Sequence, residues 1–115
     1  VAAGRLTTQK GFDLLIKALD KTQLDNKDFC LVIIGNSDGI GKYIDANKYE
    51  YITFNHNFEG NPFPLKIIYS ACDFVIVPSR TEAFGQVVIE AGACGVPSVG
   101  FSNTGIGDII DHEKN

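Results

Sequence analysis

Short apolar runs alternate along the chain with stretches in which apolar residues recur at helical spacing. Residues 1–3 open as a short strand. In residues 10–24, Leu14, Leu15, Ala18 and Leu19 mark one face at a period of 3.6, which predicts a helix. Residues 29–34 form a continuous apolar strand closed by Gly35. Residues 40–47 suit a short helix and residues 51–54 a third strand. Residues 55–64, with two prolines and a glycine, read as loop. A helix is expected over 65–71, and a fourth strand over 73–77, stopped by Pro78. Another helix covers 85–94 and ends at Gly95 and Pro97. A fifth strand over 98–101 and the beginning of a last helix over 106–111 complete the pattern.

The strands are Val- and Ile-rich without alternation, which marks them as buried on both faces, hence parallel and covered by helices. The β-α-β-α order predicts a doubly wound, Rossmann-like α/β fold in three layers. In the common strand order 3-2-1-4-5, ligands bind beyond the carboxyl ends of strands 1 and 4, where the chain reverses direction.

Composition sharpens this picture. A chain of 115 residues suits one domain with one core. The formal charge of -4 argues against nucleic acid or anionic lipid as partner of the whole surface. Any anion site is therefore local. Cys30, Cys72 and Cys94 lie among apolar residues without a CxxC pair, and are expected to be reduced, buried thiols. His56 and His112 have no second ligand at metal spacing. No stretch is long and apolar enough for a membrane span, and no signal-peptide pattern is present. The opening inside an apolar run without Met, and the stop after Ile109-Ile110-Asp111-His112, lead us to expect an excerpt of a longer protein.

The candidate chemistry gathers at the switch point. The loop after strand 1 is Gly4-Arg5-Leu6-Thr7-Thr8-Gln9-Lys10-Gly11, and the loop after strand 4 is Pro78-Ser79-Arg80-Thr81-Glu82-Ala83-Phe84-Gly85. Arg5 and Lys10 bring two cations, and both loops lead into helix starts, whose free N–H groups and positive dipole end suit phosphate. A diphosphate fits this arrangement best. Glu82 precedes the second helix start and Glu90 lies roughly 7–8 Å along that helix. Carboxylates accept hydrogen bonds from vicinal hydroxyls, so one on either side of a phosphate site suggests a sugar on either side of a diphosphate.

Gly4-Arg5-Leu6 with Lys10-Gly11, then Pro78-Ser79, then Glu82-Ala83-Phe84-Gly85 through Glu90-Ala91, resembles the family 4 retaining glycosyltransferases of the two-domain GT-B fold (glycosyl transferases group 1). Seven residues separate Glu82 from Glu90, as in that family's E-x7-E motif, and Cys94-Gly95-Val96-Pro97 and Asn103-Thr104-Gly105-Ile106-Gly107-Asp108-Ile109 also fit. The resemblance covers nearly the whole chain and corresponds to the C-terminal, donor-binding domain without its final helices.

The resemblance implies that Arg5 and Lys10 grip the donor diphosphate and that the backbone amides of Phe84, Gly85, Gln86 and Val87 contact phosphates and sugar. It implies that Glu82 holds hydroxyls of the transferred sugar, in a positioning rather than a nucleophilic role, and that Glu90 binds the ribose. Gly35 and Asn36 lie near the donor, and residues 55–57 pass near the base. Two positions depart from the family: Gly92 stands where a larger residue is usual, and Gly107 where proline is common.

The implied activity is transfer of a hexose or related sugar from a UDP- or GDP-sugar to an acceptor hydroxyl with retention. It needs no metal or other cofactor, and no persuasive D-x-D segment is present. The activity belongs to the whole enzyme, in polysaccharide, lipopolysaccharide or glycolipid synthesis. The partners implied are the nucleoside-diphosphate sugar, a missing N-terminal domain and an acceptor glycan or lipid. The implied location is cytoplasmic, with membrane contact, if any, through the missing domain.

Judged alone, Arg5 and Lys10 read as ordinary solvated cations, Glu82 as a helix-start charge, Glu90 as a solvated helix residue and Arg80 as a surface group; placement at the switch point favours the functional reading of Arg5 and Lys10. Phe84 is read as both core packing and ligand contact. The turn Gly35-Asn36-Ser37-Asp38-Gly39-Ile40-Gly41 has neither G-x-G-x-x-G nor Walker spacing. A dinucleotide oxidoreductase would need G-x-G-x-x-G after strand 1, and a signalling receiver an acidic cluster there. The remaining alternative is a nucleotide-binding module without catalysis.

Overall fold

A computed structural model describes residues 2–3, 7–22, 29–35, 42, 44–45, 51–54, 65–112 and 114. Five strands, β1 (Ala2–Ala3), β2 (Leu31–Ile34), β3 (Tyr51–Phe54), β4 (Val75–Val77) and β5 (Ser98–Gly100), form one sheet. Its order is β3-β2-β1-β4-β5 and every pairing is parallel. This is the expected order, with β1 set between β2 and β4 through Ala2, which pairs with both Ile33 and Ile76.

Among the described residues, three α-helices accompany the sheet: α1 (Phe12–Lys21), α2 (Leu65–Ser70) and α3 (Gln86–Ala93). Strand residues divide between two apolar clusters by the two-residue period of an extended chain. Leu31 and Ile33 pack with Phe12, Leu15 and Ile16 of α1, and Ile76 joins them. Ile34, Val75 and Val77 pack with Ile68 and Tyr69 of α2 and Val88 and Ala91 of α3. The clusters are thus on different sides of the strands that feed both.

Several elements differ from the expected boundaries, each for a local reason. Helix α1 begins at Phe12 rather than Lys10. Thr7 Oγ1 accepts from Lys10 N at 3.3 Å, residues Thr8–Lys10 make a 3₁₀ turn, and Gly11 takes a left-handed conformation at φ 69°. The helix stops at Lys21 because Thr22 is extended and its hydroxyl donates to the Leu19 carbonyl at 2.7 Å. Its inner face is Phe12, Leu15, Ile16 and half-buried Leu19, whereas Ala18 is exposed. The true stripe runs at i, i+3, i+4 and i+7 from Phe12.

The fourth strand starts at Val75, where the ladder begins with Val75 N donating to Pro97 O at 2.9 Å, leaving Asp73 and Phe74 outside it. The expected strand over 29–34 is Leu31–Ile34, and β5 ends at Gly100. Helix α3 starts at Gln86 with Gly85 as its N-cap and closes with Val96 N on Ala91 O and Gly95 N on Gly92 O, a Schellman ending. The last helix is a 3₁₀ segment, Gly105–Asp108, capped by Thr104 Oγ1 on Ile106 N. Most of the helix expected over 40–47 lies outside the described residues. Among the described residues, no helix is long and apolar enough to cross a membrane.

The three cysteines form no disulfide, and they are not buried as expected: Cys30 is exposed and Cys72 and Cys94 are intermediate. Cys30 precedes the paired part of its strand, and the other two follow the last turns of α2 and α3, where Cys94 packs against the edge of the core.

The two unusual glycines behave differently. A Cβ at Gly92 meets nothing within 4 Å, so the helix carries a glycine without a packing reason. We expect Gly92→Ala to stabilise the chain by about 0.5–1 kcal/mol, seen as a higher denaturation midpoint. A loss of stability would show that the site is more crowded than the structure places it. A Cβ at Gly107 would lie 2.2 Å from the Ser102 carbonyl oxygen, so the turn there closes around a residue with no side chain.

Candidate functional site

The loops after β1 and β4 meet through several contacts. A Cβ on Gly11 would fall 1.8 Å from the Pro78 carbonyl oxygen, so the two backbones touch there. Arg80 N donates to Gln9 O at 2.9 Å. The Arg80 guanidinium donates to Thr8 O and forms a two-pronged pair with Asp13, at 2.6 Å to Oδ1 and 2.7 Å to Oδ2. Arg80 is exposed, as its surface reading anticipates, yet it spans the junction between the second loop and the start of α1.

That pairing affects ionisation. The hydrogen bonds from Arg80 hold Asp13 down at about 2, from 3.8, against some desolvation, with the charges of Arg80 and Lys17 adding to the effect. A carboxylate depressed in the folded state adds stability above its unfolded value and loses it as pH falls through the folded one. The Arg80–Asp13 contribution is therefore complete above 3.8 and disappears toward about 2. We expect thermal melts to show an acid-side fall in this window that is shallower in Asp13→Asn. An identical acid limb in the variant would remove the pair from the account.

Lys10 and Glu82 come together across this junction, 72 positions apart in sequence: Lys10 Nζ donates to Glu82 Oε2 at 2.6 Å. Ser79, only 1% exposed, donates its hydroxyl to the same oxygen at 3.2 Å. Partial burial pushes the Glu82 carboxyl up, but the Lys10 hydrogen bond and charge, Ser79 and the Gly85 N–H together hold it below its ordinary range. Glu82 is thus an anion at neutral pH with several donors already aimed at it. Ser79 is the member of this group that sequence reasoning did not single out; its only signal was its place after Pro78 in the matched loop.

The loop then turns into α3 at Gly85, whose φ of 68° is left-handed. Its N–H serves Glu82, while the amides of Gln86 and Val87 have no acceptor among the described residues. These are first-turn donors of an eight-residue helix, where the dipole favours an anion. Gln86 is exposed and Val87 half-buried against the core. Phe84 is 66% exposed, so its expected part in core packing does not hold: Ile106 and Ile109 fill the space behind the loop. Gly105 N donates to Glu82 O at 2.8 Å and ties the segment after β5 to the same loop.

Glu90 stands further along α3, half-buried, and its Oε2 accepts from the Tyr69 hydroxyl at 3.0 Å. Gly35 lies just past the end of β2. Arg5, Asn36 and residues 55–57 fall outside the described residues. Of the residues singled out from sequence, Lys10, Glu82, Gly85, Gln86 and Val87 therefore share one junction, and Glu90 is on the helix that leaves it. Among the described residues, no group of three His, Cys, Asp or Glu side chains is placed to hold a metal ion.

Comparison with known proteins bears on what such a junction serves. The profile described as "Glycosyl transferases group 1" matches residues 1–115. An uncharacterized glycosyltransferase of Methanocaldococcus jannaschii is 40% identical over 97% of this chain and 29% of its own length. A D-inositol 3-phosphate glycosyltransferase of Segniliparus rotundus is 35% identical over 84% of this chain and 23% of its own. Among solved structures, a sucrose-phosphate synthase from Thermosynechococcus elongatus superposes with a TM-score of 0.72 at 25% identity, covering 98% of this chain and 30% of that one. The chain spans about a third or less of the length of the relatives it matches. With the whole of its length matched, the chain belongs to the group 1 glycosyltransferases, a family of the GT-B type.

Proposed function

We propose that this chain is the donor-binding, C-terminal half of a family 4 retaining glycosyltransferase, built as a three-layer doubly wound sheet, and that it holds a nucleoside-diphosphate sugar at the junction of the β1 and β4 loops. The observation that carries this reading is the meeting of Lys10 and Glu82 beside the start of α3. A cation, a sugar-binding carboxylate and first-turn amides then share one place, as a glycosyl diphosphate requires.

The chemistry follows from the charges. As the bond between the anomeric carbon and the diphosphate breaks, negative charge grows on the leaving phosphate oxygens. Lys10, Arg5 and the α3 amides stabilise that charge as fixed donors that need little reorganisation. Lys10 is paired with Glu82. Glu82 keeps Ser79 and the Gly85 N–H as further donors. Lys10 can therefore turn to a phosphate without leaving that carboxylate unsatisfied. Glu82 and Glu90 receive hydroxyls on the two sides of the diphosphate, and no metal is required. A partner domain supplies the acceptor, a glycan or lipid, in a cytoplasmic polysaccharide or glycolipid pathway.

Calorimetric titration with UDP and GDP, with and without magnesium, tests the reading. We expect metal-independent binding to one of them, weakened at least about tenfold by Arg5→Ala with Lys10→Ala, as befits loss of two charged phosphate contacts. Undiminished binding in the double variant places the diphosphate elsewhere.

A further inference from the structure

Tyr69 is an aromatic residue of α2 that the sequence reading left unassigned. It is 2% exposed and packs among Ile68, Val75, Val77, Val88 and Ala91. A ring so enclosed has little rotational choice, and its hydroxyl meets Glu90 Oε2 at 3.0 Å. Burial, followed by the charge of Glu90, its hydrogen bond and Cys94, raises the Tyr69 hydroxyl above its ordinary pKa. It therefore stays a protonated donor at any physiological pH.

A glutamate carries flexible torsions whose freedom is lost when a ligand fixes them. Here one carboxylate oxygen is already fixed from inside the core, and an ionised carboxylate still has acceptor sites on its other oxygen. We propose that Tyr69 is a positioning residue, which anchors Glu90 through Oε2 so that Oε1 is preset to receive the hydroxyls of the ribose. This rests on the reading that Glu90 binds the nucleoside side of the diphosphate. The competing explanation is that a buried tyrosine hydroxyl needs a partner and Glu90 is the nearest one.

Tyr69→Phe separates the two, because it keeps the ring in the core and removes only the hydroxyl. The intact protein, Tyr69→Phe, Glu90→Gln and the double variant are titrated with UDP, GDP and inorganic pyrophosphate. If Tyr69 positions Glu90, Tyr69→Phe weakens the preferred nucleotide by roughly three- to tenfold, the range for a hydrogen bond to a charged group acting indirectly. Pyrophosphate, which has no ribose, binds unchanged. The double variant is no weaker than Glu90→Gln, since the hydroxyl acts only through that carboxylate. Equal losses for nucleotide and pyrophosphate, no loss at all, or additive losses in the double variant overturn the proposal. A Glu90→Gln protein that binds nucleotide as tightly as the parent instead overturns the ribose reading beneath it.

Discussion

Replacing Glu82 with alanine is expected to lower turnover of the intact enzyme by on the order of 10²- to 10³-fold while leaving the fold in place, the scale for a group that orients the reacting sugar. The fold is expected to survive because Glu82 is only partly buried and its side-chain contacts are to the site itself: Lys10, Ser79 and the Gly85 amide. Removing the carboxylate also releases Lys10 from its 2.6 Å pair. The freed cation is then available to phosphate, so nucleotide affinity should hold or rise while kcat falls. That divergence marks a positioning role, and steady-state kinetics beside calorimetry reads it. Wild-type turnover in the variant would refute it. Because the carboxyl sits below its ordinary range, loss of activity through its protonation belongs below pH 4.5. An activity limb near neutral pH must come from another group.

The largest effect on stability is expected at Gly11. Alanine there meets two obstacles at once: a left-handed φ of 69°, and a Cβ that would lie 1.8 Å from the Pro78 carbonyl oxygen. The obstructing atom is backbone of the loop after β4, so relief requires the two loops to part. We expect Gly11→Ala to cost about 3 kcal/mol or more, in the class of strained-backbone substitutions with steric conflict. Gly85→Ala is the informative contrast. Its φ of 68° is equally left-handed, but the nearest atom is Ile106 Cγ1 at 3.1 Å, part of a side chain that can yield. About 1 kcal/mol is expected there, chiefly from the left-handed conformation. Denaturant melts of the two variants test the order, and a Gly85→Ala loss as large as that of Gly11→Ala would show that φ rather than the loop contact dominates. Because the same parting of loops carries Lys10 away from the start of α3, Gly11→Ala should also weaken binding of a diphosphate.

The alternation of Val- and Ile-rich runs with helical patterns was enough to predict a parallel α/β sheet, and the common strand order of such sheets is the one the structure has. Runs such as Leu31–Ile34 are apolar on both faces, and only a strand covered twice uses such a pattern. The order then directs attention to the β1 and β4 loops, because a reversal of connection leaves a crevice there whatever the residues are. Boundaries were less legible where a single side chain or glycine decides them, as at Thr7–Gly11 and Thr22, since the competing backbone conformations differ by little energy. The exposure of Cys30, Cys72, Cys94 and Phe84 was likewise beyond reach of local pattern, which records that a residue is apolar but not whether a neighbour arrives to cover it.

Pairings across long sequence separations belonged to the tertiary structure alone. Lys10 with Glu82, Asp13 with Arg80, Tyr69 with Glu90 and the touch of Gly11 on Pro78 join segments 21 to 72 residues apart. Sequence supplied the residue types, and the motif spacing supplied an expectation for some of them. The choice of partner depends on angles and distances set by the whole packed sheet, at a tolerance of tenths of an ångström that no local preference encodes.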